Sequence, residues 1–155
     1  MKLEGSCHCG AVRFSVEAEP PYAPYMQCYC SVCRKTAGGG GYAINLFAKA
    51  RTLKVRGKKH ISVYRARADR IAHEPGEPAP KGTLSEARRS FCGRCGSALW
   101  VLDPRWPDLL HPFASAIDTP LPKPRRRKHV FLADKAPWLS VPVAGPRDLH
   151  FRSYP

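Results

Sequence analysis

Residues 92–96 read Cys92-Gly93-Arg94-Cys95-Gly96, and residues 7–10 read Cys7-His8-Cys9-Gly10. Each stretch holds two cysteines separated by one or two residues and ends in a glycine. Glycine tolerates the positive φ of a turn that directs backbone N–H groups toward sulfur. Four thiolates from two such turns can form an all-cysteine zinc site of the structural type. A zinc ion on Cys7, Cys9, Cys92 and Cys95 would join segments about 85 residues apart, and we expect it to hold the fold together.

Two other interpretations of these four residues are open, namely reduced cysteines of an ordinary core and disulfides. The amino terminus carries charge at Lys2 and Glu4 and no apolar run follows, so a secretory signal is not expected. No apolar stretch approaches the roughly 20 residues of a membrane span. An odd number of cysteines in such a chain predicts reduced thiols in the cytoplasm, which favours zinc.

The remaining three cysteines lie in residues 28–33, which read Cys28-Tyr29-Cys30-Ser31-Val32-Cys33. Three thiolates occupy three corners of a tetrahedron, and all seven cysteines of the chain are then used. Either a histidine completes a second structural site, or the fourth corner is left for water or a substrate thiol, as in a catalytic site. The candidate histidines are His8, His60, His73, His111, His129 and His150.

Composition predicts one soluble domain over residues 1–155, with 43% apolar and 25% charged residues. The net charge of +14 attracts anions, whether nucleic acid, an acidic surface or a carboxylate-bearing substrate. The densest basic run is Lys123–His129, with four consecutive cations at 125–128. Aromatic residues do not interleave with these charges, so a stacking platform for single strands is not favoured and a solvated loop explains the run equally well.

Short stretches of alternating or continuous apolar residues predict an all-β fold, and the 16 prolines disfavour long helices. In residues 11–16 the alternation places Val12, Phe14 and Val16 on one face. A single helical turn is expected after Cys30, and residues 66–89 are predicted to form a loop without regular structure. The predicted strands are 11–16, 42–46, 52–56, 61–65, 98–102 and 129–132, with a weaker one at 139–143.

The cysteine stretches and their flanks resemble the glutathione-dependent formaldehyde-activating (GFA) family, also called the centromere protein V/GFA family. The resemblance is carried by Gly5-Ser6-Cys7-His8-Cys9-Gly10-Ala11-Val12, by Cys28-Tyr29-Cys30-Ser31-Val32-Cys33-Arg34-Lys35 and by Phe91-Cys92-Gly93-Arg94-Cys95-Gly96. Residues 129–138, His129-Val130-Phe131-Leu132-Ala133-Asp134-Lys135-Ala136-Pro137-Trp138, resemble the last segment of the family. Tyr29 stands at a spacer position where members often have histidine.

The resemblance implies an all-β fold of the β-tent type, made of short antiparallel strands and held together by a structural zinc on the four cysteines. It further implies a catalytic zinc on Cys28, Cys30 and Cys33. It also implies a carbon–sulfur lyase that condenses glutathione with formaldehyde or another small aldehyde. Arg34 and Lys35 follow the third cysteine and are candidates to hold a carboxylate of glutathione, although a solvated charged pair is the simpler explanation. The alternatives are a non-catalytic zinc module that recruits nucleic acid or an acidic partner, and a redox or metal sensor.

Overall fold

The computed structural model describes residues 1–18, 25–71, 79–141 and 148–153. The chain forms two compact units, each assembled from three separate segments. The first unit comprises Met1–Ala23, Asn45–Arg65 and Glu86–Lys123, and the second comprises Pro24–Ile44, Ala66–Ser85 and Pro124–Pro155. The predicted all-β fold of short strands, most of them paired antiparallel, is confirmed, with one α-helix in the described ranges.

The strands in chain order are β1 (Lys2–Ser6), β2 (Arg13–Glu17), β3 (Tyr25–Cys28), β4 (Ala43–Asn45), β5 (Ala48–Lys49), β6 (Lys54–Arg56), β7 (Ile61–Tyr64), β8 (Arg88–Cys92), β9 (Ala98–Leu102), β10 (Leu109–Pro112), β11 (Arg127–Val130) and β12 (Leu149–His150). In the first unit, β1-β2-β6 and β5-β10-β9-β8-β7 form two antiparallel sheets. In the second, the sheet has the order β12-β11-β3-β4.

The core of the first unit follows the predicted alternation on β2. Val12, Phe14 and Val16 are all buried, with exposed fractions of 0%, 4% and 1%. Phe14 contacts Trp100 of β9 edge to face, with ring centroids 5.1 Å apart. Because successive side chains of a strand point to opposite faces, this single alternation is sufficient to orient the sheet toward its core.

Each cysteine pair of the first unit lies in the turn of a hairpin. Strand β1 ends just before Cys7 and β2 begins after the turn, while β8 ends at Cys92 and β9 begins at Ala98. Gly10 and Gly96 close the two turns with φ of 71° and 76°, a left-handed conformation that favours glycine. Hairpin pairing therefore places four thiols in two tight turns.

In the second unit, β3 leads directly into the helix α1 (Ser31–Thr36), so residues 28–33 span the strand end and the first helical turn. The thiol of Cys30 caps the helix by accepting a hydrogen bond from the backbone N–H of Cys33, at 3.3 Å. Arg34 and Lys35 lie in the last turn, where positive charge is favourable. The helical turn predicted after Cys30 is confirmed.

Several predicted boundaries are wrong. The predicted loop 66–89 contains a short 3₁₀ turn at Ala68–Arg70 and an isolated bridge from Arg67 to Leu84, and it ends in the first residues of β8. The predicted strand 129–132 lies two residues too late, because β11 pairs in parallel with β3 and with β12 and begins at Arg127. Residues 139–141 form no strand, and the rest of that predicted strand lies outside the described residues.

No helix among the described residues is both long enough and apolar enough to cross a bilayer.

Candidate functional site

The four cysteines of the hairpin turns form one cluster. Their Sγ atoms all lie within 4.8 Å of one another, with 3.6 Å between Cys7 and Cys9 and 3.8 Å between Cys9 and Cys92. A tetrahedron with Zn–S bonds of about 2.3 Å has an S–S edge of about 3.8 Å, whereas a disulfide requires about 2.0 Å. The four residues thus fit a zinc ion, and none of the seven cysteines is joined in a disulfide.

Backbone and side-chain groups around this cluster already point at sulfur. The N–H of Val12 donates to Cys7 Sγ at 3.2 Å, and the Ser97 hydroxyl lies 3.2 Å from Cys95 Sγ. Ser97 Oγ also accepts a hydrogen bond from the backbone N–H of His8 at 3.1 Å, which ties one turn to the other. The sequence does not mark Ser97 as part of the cluster, apart from its place directly after Gly96.

The pKa values of these thiols are pulled apart, because four thiols so close together cannot all ionise without a cation. The Ser97 hydroxyl is the largest cause that lowers the pKa of Cys95, to about 5. The backbone N–H of Ala11 lowers the pKa of Cys9, but desolvation and the neighbouring thiols outweigh it and raise that pKa to about 11. A bound dication would remove this competition by stabilising every thiolate.

The three cysteines of the second unit form a separate and more deeply buried cluster. Their Sγ atoms lie within 4.8 Å of one another, and Cys28, Cys30 and Cys33 are only 4%, 2% and 4% exposed. By comparison, Cys9 and Cys95 of the other cluster are exposed. Cys28 is placed by β3, Cys30 by its capping position and Cys33 by the first turn of α1.

Burial and mutual proximity disfavour ionisation of these three thiols. Contacts with the Cys30 and Cys33 thiols are the largest causes that raise the pKa of Cys28 well above its ordinary value. For Cys30, the Cys28 thiol lowers the pKa, but the Cys33 thiol and burial raise it further, to about 12. Three buried thiolates therefore require a counter-charge, and three sulfurs at this separation match the ligand set of a zinc ion.

No histidine or carboxylate among the described residues joins this cluster as a fourth ligand. The described histidines are His8, His60, His111, His129 and His150, and His73 lies outside the described residues. Two of them have other partners: His111 Nδ1 lies 3.1 Å from the carbonyl oxygen of Leu46, and His129 Nδ1 lies 2.8 Å from the Tyr29 hydroxyl. Within the described chain, no histidine, cysteine or carboxylate occupies the fourth corner of a tetrahedron at the three cysteines.

The two cationic candidates after Cys33 differ in environment. Arg34 is half-buried, and its Nε atom is buried without a hydrogen-bond partner among the described residues. Lys35 is exposed. A buried guanidinium nitrogen without a partner is costly, so Arg34 is the better candidate for holding an anion.

The basic run is not a uniform solvated loop. Arg125 and Arg126 are exposed, but the run continues into β11, where the ammonium group of Lys128 lies 5.2 Å from the centre of the Phe151 ring and His129 is fully buried. The backbone N–H of Arg127 donates to Asp148 at 2.8 Å. Part of this run is thus committed to the sheet.

Comparison with known proteins identifies the relatives of this chain. The profile of the family described as glutathione-dependent formaldehyde-activating enzyme matches residues 2–134. A Halomonas elongata protein that carries the provisional name glutathione-dependent formaldehyde-activating enzyme is 54% identical over 155 residues, which is 100% of this chain and 90% of that protein. A crystal structure of a Rhodobacter sphaeroides protein from structural genomics superposes with a TM-score of 0.56 at 28% identity, covering 79% of this chain and 92% of that one.

An all-β chain with one four-thiol and one three-thiol cluster is thus a candidate zinc protein by its fold and geometry. The chain belongs to the glutathione-dependent formaldehyde-activating family.

Proposed function

We propose that this chain is a zinc-dependent carbon–sulfur lyase that condenses the thiol of glutathione with formaldehyde or another small aldehyde. Family membership and the name of the Halomonas elongata relative support the general activity. The observation that carries the finer proposal is the buried cluster of Cys28, Cys30 and Cys33, for which the described chain supplies no fourth ligand.

We propose different duties for the two clusters. The four cysteines Cys7, Cys9, Cys92 and Cys95 would hold a structural zinc, because they join two hairpins and leave no open corner. The three cysteines would hold the catalytic zinc. When bound there, a zinc ion supplies the positive charge that lowers the pKa of a thiol from its ordinary value of about 8.5 and keeps it as the nucleophilic thiolate.

The reaction forms one bond and moves one proton. The sulfur of glutathione attacks the carbonyl carbon of formaldehyde, a C–S bond forms, and the π electron pair of C=O moves to oxygen. That oxygen takes up the proton that the thiol gave up, so the product is S-hydroxymethylglutathione and no oxidant or reductant is needed. The chain contributes proximity by holding the thiol substrate, and Arg34 is the residue we propose for a glutathione carboxylate, with Lys35 as a weaker, exposed candidate.

We place this activity in the cytoplasm. All seven cysteines are free thiols, and a reducing compartment keeps them available as zinc ligands.

The decisive experiment measures exchange between free formaldehyde and S-hydroxymethylglutathione by magnetisation-transfer NMR with ¹³C-formaldehyde, at equilibrium. A catalyst raises both exchange rates without changing the equilibrium ratio, so a spontaneous reaction is separated from a catalysed one. We expect the zinc-loaded protein to accelerate exchange and Cys30→Ser to lose the acceleration, while Trp106→Phe, a change at an exposed residue of the first unit, keeps it. Exchange no faster than in protein-free buffer, across several thiols, would sink the proposal.

The non-catalytic alternative makes a different prediction for the same protein. A recruiting module would bind two zinc ions, leave exchange unchanged and bind a polyanion with steep salt dependence. Salt-dependent nucleic-acid binding together with protein-free exchange rates would favour that alternative.

A further inference from the structure

Tyr29 lies between two of the proposed zinc ligands, yet its side chain has partners of its own. It is 0% exposed and is among the largest fully buried side chains of the chain. As the single spacer between Cys28 and Cys30 it has no place in the proposed reaction. A fully buried phenol needs hydrogen-bond partners, so its contacts show what holds it there.

The hydroxyl of Tyr29 is held at two points. It lies 2.8 Å from Nδ1 of His129 on β11 and 3.3 Å from Oε1 of Gln27 on β3. The Tyr29 ring stacks on the His129 ring at 5.8 Å between centroids and packs against Tyr42 at 5.4 Å. Its backbone N–H donates to the carbonyl oxygen of Val130 at 3.1 Å. Main chain and side chain of this spacer are therefore both attached to β11.

The Asp148 carboxylate favours one of the two neutral forms of His129. The Asp148 carboxylate lies 3.7 Å from the buried Nε2 of His129 and is held in place by the backbone N–H of Arg127 at 2.8 Å. A carboxylate on that side favours a proton on Nε2, which leaves Nδ1 as the acceptor for the Tyr29 hydroxyl. The His150 ring stacks on the His129 ring, with 4.6 Å between the ring centroids. The contacts thus form a chain from Tyr29 through His129 to Asp148.

Strand geometry connects this chain to the thiols. In extended backbone, residues i and i+2 point to one side and residue i+1 points to the other. Cys28 is the last residue of β3, and Cys30 keeps extended angles, with φ of −58° and ψ of 152°. The direction of the Tyr29 side chain therefore sets the rotation of the segment about its axis, and with it the direction of both neighbouring thiols.

We propose that Tyr29 is a positioning residue for the three-cysteine cluster, anchored through its hydroxyl by His129 and Asp148 so that Cys28 and Cys30 face one common centre. The inference rests on the zinc site of the proposed function and is independent of the reaction proposed there. It assigns His129, a candidate ligand by sequence, to holding the spacer instead.

The test compares Tyr29→Phe, which removes one oxygen and keeps the ring, with Tyr42→Phe, which removes the hydroxyl of the neighbouring ring. Zinc affinity is measured by competition with a chromophoric chelator, and the Co²⁺-substituted proteins are compared by their d–d absorption. Partners that orient ligands are typically worth 10–100-fold in metal affinity. We expect Tyr29→Phe to weaken zinc binding at the three-cysteine cluster at least 10-fold and to shift the Co²⁺ spectrum, while the four-cysteine cluster and the Tyr42→Phe variant match the wild type.

A second pair of variants tests the anchor itself. His129→Gln keeps a hydrogen-bond acceptor and should retain most of the affinity, whereas His129→Leu should lose as much as Tyr29→Phe. The double variant Tyr29→Phe/His129→Leu should lose no more than either single variant, because both remove the same contact. The inference is overturned if Tyr29→Phe leaves affinity and spectrum unchanged, if both zinc sites weaken equally, or if the two single losses add.

These outcomes are separable from the proposed function. A wild-type protein that binds two zinc ions but does not accelerate exchange would remove the reaction and leave the affinity comparison intact. Normal exchange in a Tyr29→Phe protein with unchanged zinc affinity would remove the positioning role and leave the reaction intact.

Discussion

Replacing Cys92 by serine tests whether the four-cysteine cluster holds the fold. Cys92 is 0% exposed, and its thiol lies 3.8 Å from that of Cys9 across a separation of 83 residues. Serine has almost the same shape and keeps the turn, but it is a much poorer zinc ligand. The variant therefore removes the cross-link with little change in packing.

The expected loss follows from the entropy of closing the loop. A covalent cross-link over 83 residues lowers the entropy of the unfolded chain by an amount equal to about 4.5 kcal/mol at 25 °C, and a metal link of the same span has a similar limit. The same relation applied to the roughly five-residue span from Cys28 to Cys33 gives about 2 kcal/mol. We expect Cys92→Ser to lose about 2.5 kcal/mol more than Cys33→Ser, or about 5–10 °C in melting temperature.

Urea unfolding followed by far-UV circular dichroism, at buffered free zinc, measures the difference. Zinc content is determined in parallel with a chromophoric chelator, so that each variant is shown to have lost one ion. Removing all zinc from the wild type should lower its unfolding midpoint at least to that of Cys92→Ser.

Equal unfolding midpoints of Cys92→Ser and Cys33→Ser, after each has lost one zinc ion, would contradict the expected difference. A lower stability of Cys33→Ser would contradict it as well, because the cross-link over the shorter span would then be the stronger one.

Three further outcomes are expected. Arg34→Ala should raise the KM for glutathione about 10-fold or more, as the loss of a charged hydrogen bond would. Lys35→Ala should change this KM little, and neither variant should change the KM for an uncharged thiol. Equal effects of the two variants would reject Arg34 as the residue that holds the carboxylate. Asp103→Asn should lower the free energy of unfolding by about 1 kcal/mol at neutral pH, since Arg105 is half exposed. Burial raises the pKa of Asp103, but the Arg105 hydrogen bonds lower it below 3.8 overall, so this stabilisation is present above that pH and is lost as pH falls through the lower folded-state pKa. Urea midpoints of the variant and the wild type that stay apart in acid would contradict this expectation. Circular dichroism and tryptophan fluorescence should report one coincident unfolding transition, because each unit is built from three separated segments and the chain passes repeatedly between the two units. Two separated transitions would reject the expected single domain.

The cysteine clusters were predictable from sequence because the spacing that brings their thiols together is local. Two cysteines with one or two spacers must reach the same point in space, and a following glycine reports the turn that makes this possible. For the same reason the buried alternation of Val12, Phe14 and Val16 was correct. The strand at 98–102 was predicted with its observed bounds, because a continuous apolar run ends at Asp103-Pro104.

The strand boundary predicted at 129–132 was wrong because strand pairing between distant segments outweighs the local hydrophobic pattern. Local hydrophobicity predicts a strand at 129–132, but the neighbouring strands β3 and β12 pair with a segment that begins at Arg127, inside the basic run. The same pairing buries His129 against Tyr29, so a residue that looked like a candidate ligand serves the spacer instead.

By itself, the sequence of this chain determined which residues could hold a metal ion: seven cysteines in two sets, with four joining two turns and three left together beside Arg34. Only the tertiary structure decided what surrounds those sets. Ser97 reaches the turn at His8 across 89 residues, and His129 reaches Tyr29 across 100. Because the entropy of closing a loop rises only slowly with its length, partners this far apart in the chain are allowed, and nothing in the local sequence marks which residue the partner will be.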